Sequence, residues 1–149
     1  MIHDFLSVWM ELWVLPARWG RRLRDVSVPV LLDEMQAELA GAGPLSLSPR
    51  TIARLVRRRV MWTIRWRRTR CLLSGMLVSY LLARAGHEVT VYIGCDVPEN
   101  AALMSHCWVS CAALPADDPM QSPQGMEPMY TKTFGAGITE GSSGTGAED

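Results

Sequence analysis

The chain has 149 residues, a formal net charge of zero and an apolar content of 48%. This length corresponds to one domain, and a neutral chain has no overall field that would attract nucleic acid or a membrane surface. The positive charge is nevertheless concentrated, because nine of the fourteen arginines lie between Arg50 and Arg70. We therefore expect a local acidic or peptide partner for this segment, and no nucleic-acid partner.

The N-terminal part is predicted to be helical. Residues 4–15 and 17–25 are expected to form two helices separated by Pro16, because proline removes a helical hydrogen bond. The apolar stretch at residues 5–16 is too short to cross a bilayer and contains Glu11. We therefore expect a buried amphipathic helix and no membrane partner. A helix that lies on a membrane surface is the alternative. A short helix is predicted at residues 30–40.

A third helix is predicted from its capping signal. Ser48 and Pro49 combine a capping hydroxyl with proline at the first helical position, and the pattern continues to about residue 66 or 68. Apolar or small side chains recur on one face, which we expect to point inward: Ile52, Val56, Val60 and Thr63. The arginines occupy the rest of this helix.

The next segment, residues 71–85, is the most apolar helix of the chain. Apolar side chains cover most of its circumference, which is typical of a helix at the centre of a domain. Cys71 stands at its predicted start, and Ser74 and Gly75 keep its first turn narrow. Gly86 supplies the glycine with which many helices end.

After this helix the apolar period changes to two. Residues 89–94 are predicted to form a strand, residues 96–101 a loop, and residues 104–111 a second strand. One face of the second strand carries His106, Trp108 and Ser110, and the other face carries Cys107, Val109 and Cys111. The signals weaken after Pro115, and the tail from Gly135 is predicted to be disordered. Helices followed by antiparallel strands indicate an α+β domain.

Two of these elements carry the parts of a thiol nucleophile. A thiolate is the attacking form of cysteine, and the start of a helix stabilises its charge. Cys71 is placed there, close to Arg70, with its backbone N–H as an expected oxyanion donor. His106 would take the thiol proton. Asp118 or Asp117 could hold the imidazole in the required tautomer.

Each of these residues also has a structural explanation. A cysteine in an apolar helix often serves as a small core residue, a histidine beside Trp108 is often a packed ring, and two aspartates before a proline suit a turn. Two of the other cysteines, Cys107 and Cys111, lie roughly 13 Å apart along one strand, too far for a disulfide. The start of the chain also lacks the basic region of a secretory signal, so we expect reduced thiols and a cytoplasmic protein.

Metal binding by the same residues is not expected. His106 and Cys107 could bind zinc together with Cys71 or Cys95, but neighbours on a strand point to opposite faces, and the chain has no CxxC pair. We therefore predict no metal and no cofactor. Stacking of Trp62 and Trp66 on nucleic acid is less favoured than core packing, because no RNA-binding motif accompanies them.

Three stretches together resemble a known family. They are the segment from Arg70 and Cys71 through the leucine-rich helix to Gly86, the strand at residues 89–94, and the Ser-His-Cys-Trp-Val sequence at residues 105–109. This set is similar to the transglutaminase-like cysteine peptidases of lasso-peptide biosynthesis. Those proteins have a Cys-Leu opening on a leucine-rich helix, a strand that ends in Ile-Gly, and a His-x-Trp-Val strand.

The resemblance implies a papain-like or transglutaminase-like core, with a nucleophilic central helix packed on a small antiparallel sheet. It implies Cys71 as nucleophile, His106 as general base and then acid, and Asp118 as orienter, with Asp117 as its rival. Such an enzyme removes the leader from a ribosomally made precursor peptide. A separate leader-recognition protein presents the substrate, and a cyclase that resembles asparagine synthetase closes the ring.

The expected organisation is a single transglutaminase-like domain at residues 1–134. Its helical part would span residues 1–69 and its catalytic part residues 70–134, followed by the tail at 135–149. Two other functions stay open: a non-catalytic interaction protein of the same fold, and a transglutaminase-type acyltransferase.

Overall fold

The computed structural model describes residues 2–63, 67–96, 104–116, 118 and 128–135. Four helices are present in these residues: α1 (Ile2–Arg22), α2 (Val28–Gly41), α3 (Pro49–Thr63) and α4 (Arg67–Arg84). Three strands follow them: β1 (Val89–Asp96), β2 (Met104–Ser110) and β3 (Tyr130–Phe134). The predicted α+β class is confirmed.

The N-terminal segment is one helix and not two. α1 continues through Pro16, whose missing N–H leaves the helix one hydrogen bond short. Leu12, Leu15 and Trp19 lie on both sides of the proline and are all buried. Burying each large apolar side chain stabilises a fold by about 1.5–3 kcal/mol, which offsets the lost bond and keeps both halves helical. The predicted break at Pro16 is therefore wrong.

The start of α3 agrees with its capping signal. The Ser48 hydroxyl accepts a hydrogen bond from the backbone N–H of Thr51 at 3.3 Å. The predicted inward face is confirmed at Ile52, Val56 and Val60, which are buried. Residues 64–66, at the predicted end of this helix, lie outside the described residues.

α4 is the central element of the molecule, as its all-round apolar surface predicts. It packs against each of the other three helices and each of the three strands. Gly86, just after its end, has a φ angle of +83°, the left-handed conformation that favours glycine at a helix C-terminus. The beginning differs from the prediction, because α4 begins at Arg67, four residues before Cys71.

The strands form one antiparallel sheet in the order β2-β1-β3. β1 therefore lies in the middle, and β2 lies at an edge. β3 was not expected from the sequence. Its inward-facing positions are Tyr130, Lys132 and Phe134, so a charged residue interrupts the apolar pattern that would indicate a strand. The Lys132 amine donates a hydrogen bond to the Asp33 carboxylate of α2 at 2.6 Å. This carboxylate balances the charge of the lysine.

Several predictions concern residues beyond the described ranges. Residues 97–101 of the predicted loop, Asp117 and the tail from residue 136 are among them. The boundaries proposed at residues 69, 70 and 134 stay predictions. In the described parts of the chain, the helices fall short of the length and apolar character needed to cross a bilayer.

Candidate active site

Cys71 lies on the side of α4 that packs against β2. One helical turn later, a Cβ atom added to Gly75 would lie only 2.4 Å from the Cys107 sulfur. The absence of a side chain at Gly75 therefore lets β2 approach α4 closely. This contact gives a physical reason for the narrow point expected at Ser74 and Gly75, which lies well inside α4 and not in its first turn, because α4 begins at Arg67.

The Cys71 thiol is hydrogen-bonded to the backbone of β2. Its sulfur donates to the Cys107 carbonyl oxygen at 3.0 Å and accepts from the Cys107 N–H at 3.2 Å. β2 is an edge strand, and these two groups point away from β1. The thiol thus lies at the outer edge of β2, beside the residue that directly follows His106.

The true start of α4 changes one expectation about this site. Inside a helix that begins at Arg67, the N–H of Cys71 bonds to the carbonyl four residues back. It is therefore committed to the helix, and the prediction that it serves as an oxyanion donor is wrong. The placement of Cys71 at the first helical residue is wrong for the same reason.

His106 is half-buried on β2 and lies opposite Gly94 of β1. Because residues opposite one another on antiparallel strands share a face, the missing side chain at Gly94 leaves room beside the imidazole. The same face carries Trp108, whose ring stacks on Tyr92 with 5.7 Å between centroids and 11° between planes. The stacked rings cover the same face of β2 that carries the His106 imidazole.

Two further cysteines, Cys107 and Cys111, are structural. Cys107 and Cys111 are buried in the core, and both are free thiols, as is Cys71. Burial, and then the neighbouring Cys71 sulfur, raise the pKa of the Cys107 thiol far above its usual range. Cys107 therefore stays protonated and is excluded as a nucleophile, which leaves its backbone as its contribution to the site.

Asp118 follows β2 and is attached to α3. Its carboxylate accepts hydrogen bonds from the Arg57 guanidinium at 3.2 and 3.3 Å, and its backbone N–H donates to the Pro115 carbonyl at 3.0 Å. The Asp118 side chain is only 10% exposed, whereas the Arg57 side chain is 48% exposed. That Asp118 orients His106 stays a prediction, and its rival Asp117 lies outside the described residues.

The structure thus brings Cys71 and the His106 strand together and ties Asp118 to the arginine-rich helix. Sequence reasoning missed the two backbone groups of Cys107, because backbone contacts leave no residue-type signal. It also missed Arg57 as the partner of Asp118, since many arginines in α3 were equivalent candidates. Among the described residues, no group of three or more His, Cys, Asp or Glu side chains could hold a metal ion.

Comparison with known proteins identifies the family to which this fold belongs. A family model described as the transglutaminase-like superfamily matches residues 11–131. No curated protein and no solved structure matches the chain significantly. Since the family match extends from α1 into β3 and spans well over half of the sequence, the chain belongs to the transglutaminase-like superfamily, whose members are typically cysteine proteases or acyltransferases.

Proposed function

We propose that this protein is a cysteine peptidase that removes the leader from a ribosomally made lasso-peptide precursor. The observation that carries the proposal is the Cys71 thiol at the outer edge of β2, hydrogen-bonded to the backbone of Cys107, the residue that directly follows His106. The resemblance of residues 70–109 to the lasso-peptide leader peptidases supplies the substrate class. Superfamily membership supports the chemistry of a thiol nucleophile.

In the proposed reaction, His106 takes the proton of Cys71, and the thiolate attacks the last carbonyl of the leader. The tetrahedral intermediate collapses to an acyl-thioester on Cys71 when the C–N bond breaks and His106 gives its proton to the leaving amine. His106 then activates a water, which hydrolyses the thioester and frees the thiol. Asp118 is proposed to hold the imidazole during both transfers.

The resting contacts of the thiol indicate what must change before attack. The Cys107 carbonyl accepts the thiol proton and would repel a thiolate, whereas the Cys107 N–H would stabilise one. Rotation of the Cys71 side chain away from the carbonyl and toward His106 is therefore the first step that we propose.

The proposal includes three partners. A precursor leader peptide is the substrate, a separate leader-recognition protein presents it, and a cyclase that resembles asparagine synthetase uses the freed amine. The same acyl-thioester would also serve a transglutaminase-type acyltransferase, which passes the acyl group to an amine. The mass of the product distinguishes hydrolysis from acyl transfer.

The test is incubation of the purified protein with a candidate precursor and its recognition protein, read by mass spectrometry. We expect cleavage at one position, and we expect Cys71→Ala to lower the rate by several orders of magnitude. Cys111→Ala is the matched control, because Cys111 is a buried free cysteine without a contact to the thiol of Cys71 in the described residues. It should retain activity.

Both variants should keep the circular dichroism spectrum and cooperative unfolding of the parent protein. Full cleavage by the Cys71→Ala variant would remove the basis of the proposal. A folded parent protein that leaves the complete set of partners unchanged would instead favour the non-catalytic alternative.

A further inference from the structure

A second feature, which is independent of the proposed function, lies on the solvent side of α1. Its apolar residues form two stripes, one of which faces the core. The other stripe, here called the outer face of α1, consists of exposed apolar side chains at Phe5, Leu6, Trp9, Met10, Trp13 and Val14. A helix that is apolar on both sides is normally covered on both sides.

The outer face is large for a surface that stays in water. Since one aromatic side chain carries roughly 150–250 Å², the six partly exposed side chains present on the order of 500 Å² of apolar surface. Contiguous apolar patches of this size on monomers usually mark an interaction site. A stable protein interface buries about 800 Å² per partner, which the outer face and its polar rim would approach.

The charge of the outer face of α1 indicates which kind of partner it could bind. Between residues 5 and 14 the chain has one charged residue, Glu11. Its carboxylate accepts a hydrogen bond from the Arg84 guanidinium at 2.5 Å and another from the Ser7 hydroxyl at 3.2 Å. The face itself is therefore neutral, and two identical copies of it can meet without like-charge repulsion.

We propose that the outer face of α1 is the interface of a homodimer, in which the α1 helices of two copies pack antiparallel about a two-fold axis. With the axis between residues 9 and 10, each large side chain lies opposite a differently shaped one. Trp9 faces Met10 of the second copy, Leu6 faces Trp13, and Phe5 faces Val14. A closed two-fold interface requires such self-complementarity, and antiparallel helix dipoles favour it.

Trp13 is already fixed in a position suited to this contact. The guanidinium carbon of Arg59 lies 3.1 Å from the centroid of its ring. A tryptophan held by an arginine before association loses little freedom when a partner binds, so it can act as an interface anchor. The Trp13 side chain still has more than half of its surface exposed to solvent.

Sedimentation equilibrium of the full chain tests the proposal. We expect the parent protein to have twice the mass of one chain. Met10→Glu, at a side chain that is 67% exposed and next to the axis, should give a monomer, because each new carboxylate would be buried against Trp9 of the second copy and the two carboxylates would lie close together across the axis. Met129→Glu is the matched control: Met129 is 75% exposed and lies outside α1, so this variant should stay dimeric.

A mixture provides a second, independent readout. Met10→Glu and Met10→Lys proteins should each be monomeric, and together they should form a heterodimer. A monomeric parent protein, or a Met10→Glu variant that stays dimeric, would overturn the proposal. A monomeric parent that binds lipid vesicles or the leader-recognition protein through this face would equally overturn it, and would assign the face to that occupant.

Discussion

Three consecutive arginines of α3 show how strongly the surroundings of a residue decide its role. Arg57 binds the Asp118 carboxylate, Arg58 is exposed to solvent, and Arg59 is buried over the ring of Trp13. Burial lowers the pKa of the Arg59 guanidinium from its usual value. The sequence suggested one basic docking surface, but of these three arginines Arg58 is the one that is exposed without a hydrogen bond or ion pair to the described residues.

We expect Arg59→Ala to destabilise the protein by about 1–2 kcal/mol, because it removes the contact with Trp13 and the packing of the arginine stem. Arg58→Ala is the matched control, since an exposed arginine on the same helix should change stability by less than about 0.5 kcal/mol. Urea unfolding followed by circular dichroism measures both. Equal midpoints for the two variants would contradict the structural role of Arg59.

At the scale of elements, the site depends on the contact between α4 and β2. The sequence predicts both elements, because an apolar helix and an alternating strand have clear periods. It also marks Gly75 as the narrow point of the helix. The sequence does not give the position of β2 relative to α4, because that position follows from packing between residues that are distant in the chain.

Gly75→Ala tests that contact. The new methyl group would meet the Cys107 sulfur, so we expect a loss of stability of about 1–3 kcal/mol and reduced cleavage, as β2 moves away from Cys71. Gly20→Ala is the matched control in α1, where the added methyl group would lie at an ordinary 3.8 Å from Leu73. That change should be neutral or stabilise by up to about 1 kcal/mol.

Removing the sulfur should reverse the effect. The double variant Gly75→Ala, Cys107→Ala leaves space for the new methyl group, so we expect it to regain part of the lost stability and activity relative to Gly75→Ala. An additive loss in the double variant would show that the close approach of α4 and β2 at this point is unimportant.

For the whole molecule, prediction from sequence succeeded where a local pattern decides the structure. The cap at Ser48, the end of α4 at Gly86 and the two faces of β2 belong to this class. It failed where tertiary packing overrides a local rule: α1 passes through Pro16 because both halves are buried, and β3 forms although Lys132 interrupts its pattern. The Arg57–Asp118 pair joins residues too far apart in the chain for any local signal.

The central claim is that Cys71 is the reactive thiol of the fold, and it can be tested on the protein alone. Limiting iodoacetamide is added at neutral pH, and alkylation of each cysteine is followed by peptide mass spectrometry, in the folded chain and in denaturant. Burial should slow Cys107 and Cys111 in the folded chain. Cys71 should react faster when folded than when unfolded, and His106→Ala should remove that advantage.

A Cys71 that reacts more slowly in the folded chain than in denaturant, or whose rate is unchanged by His106→Ala, would contradict the account.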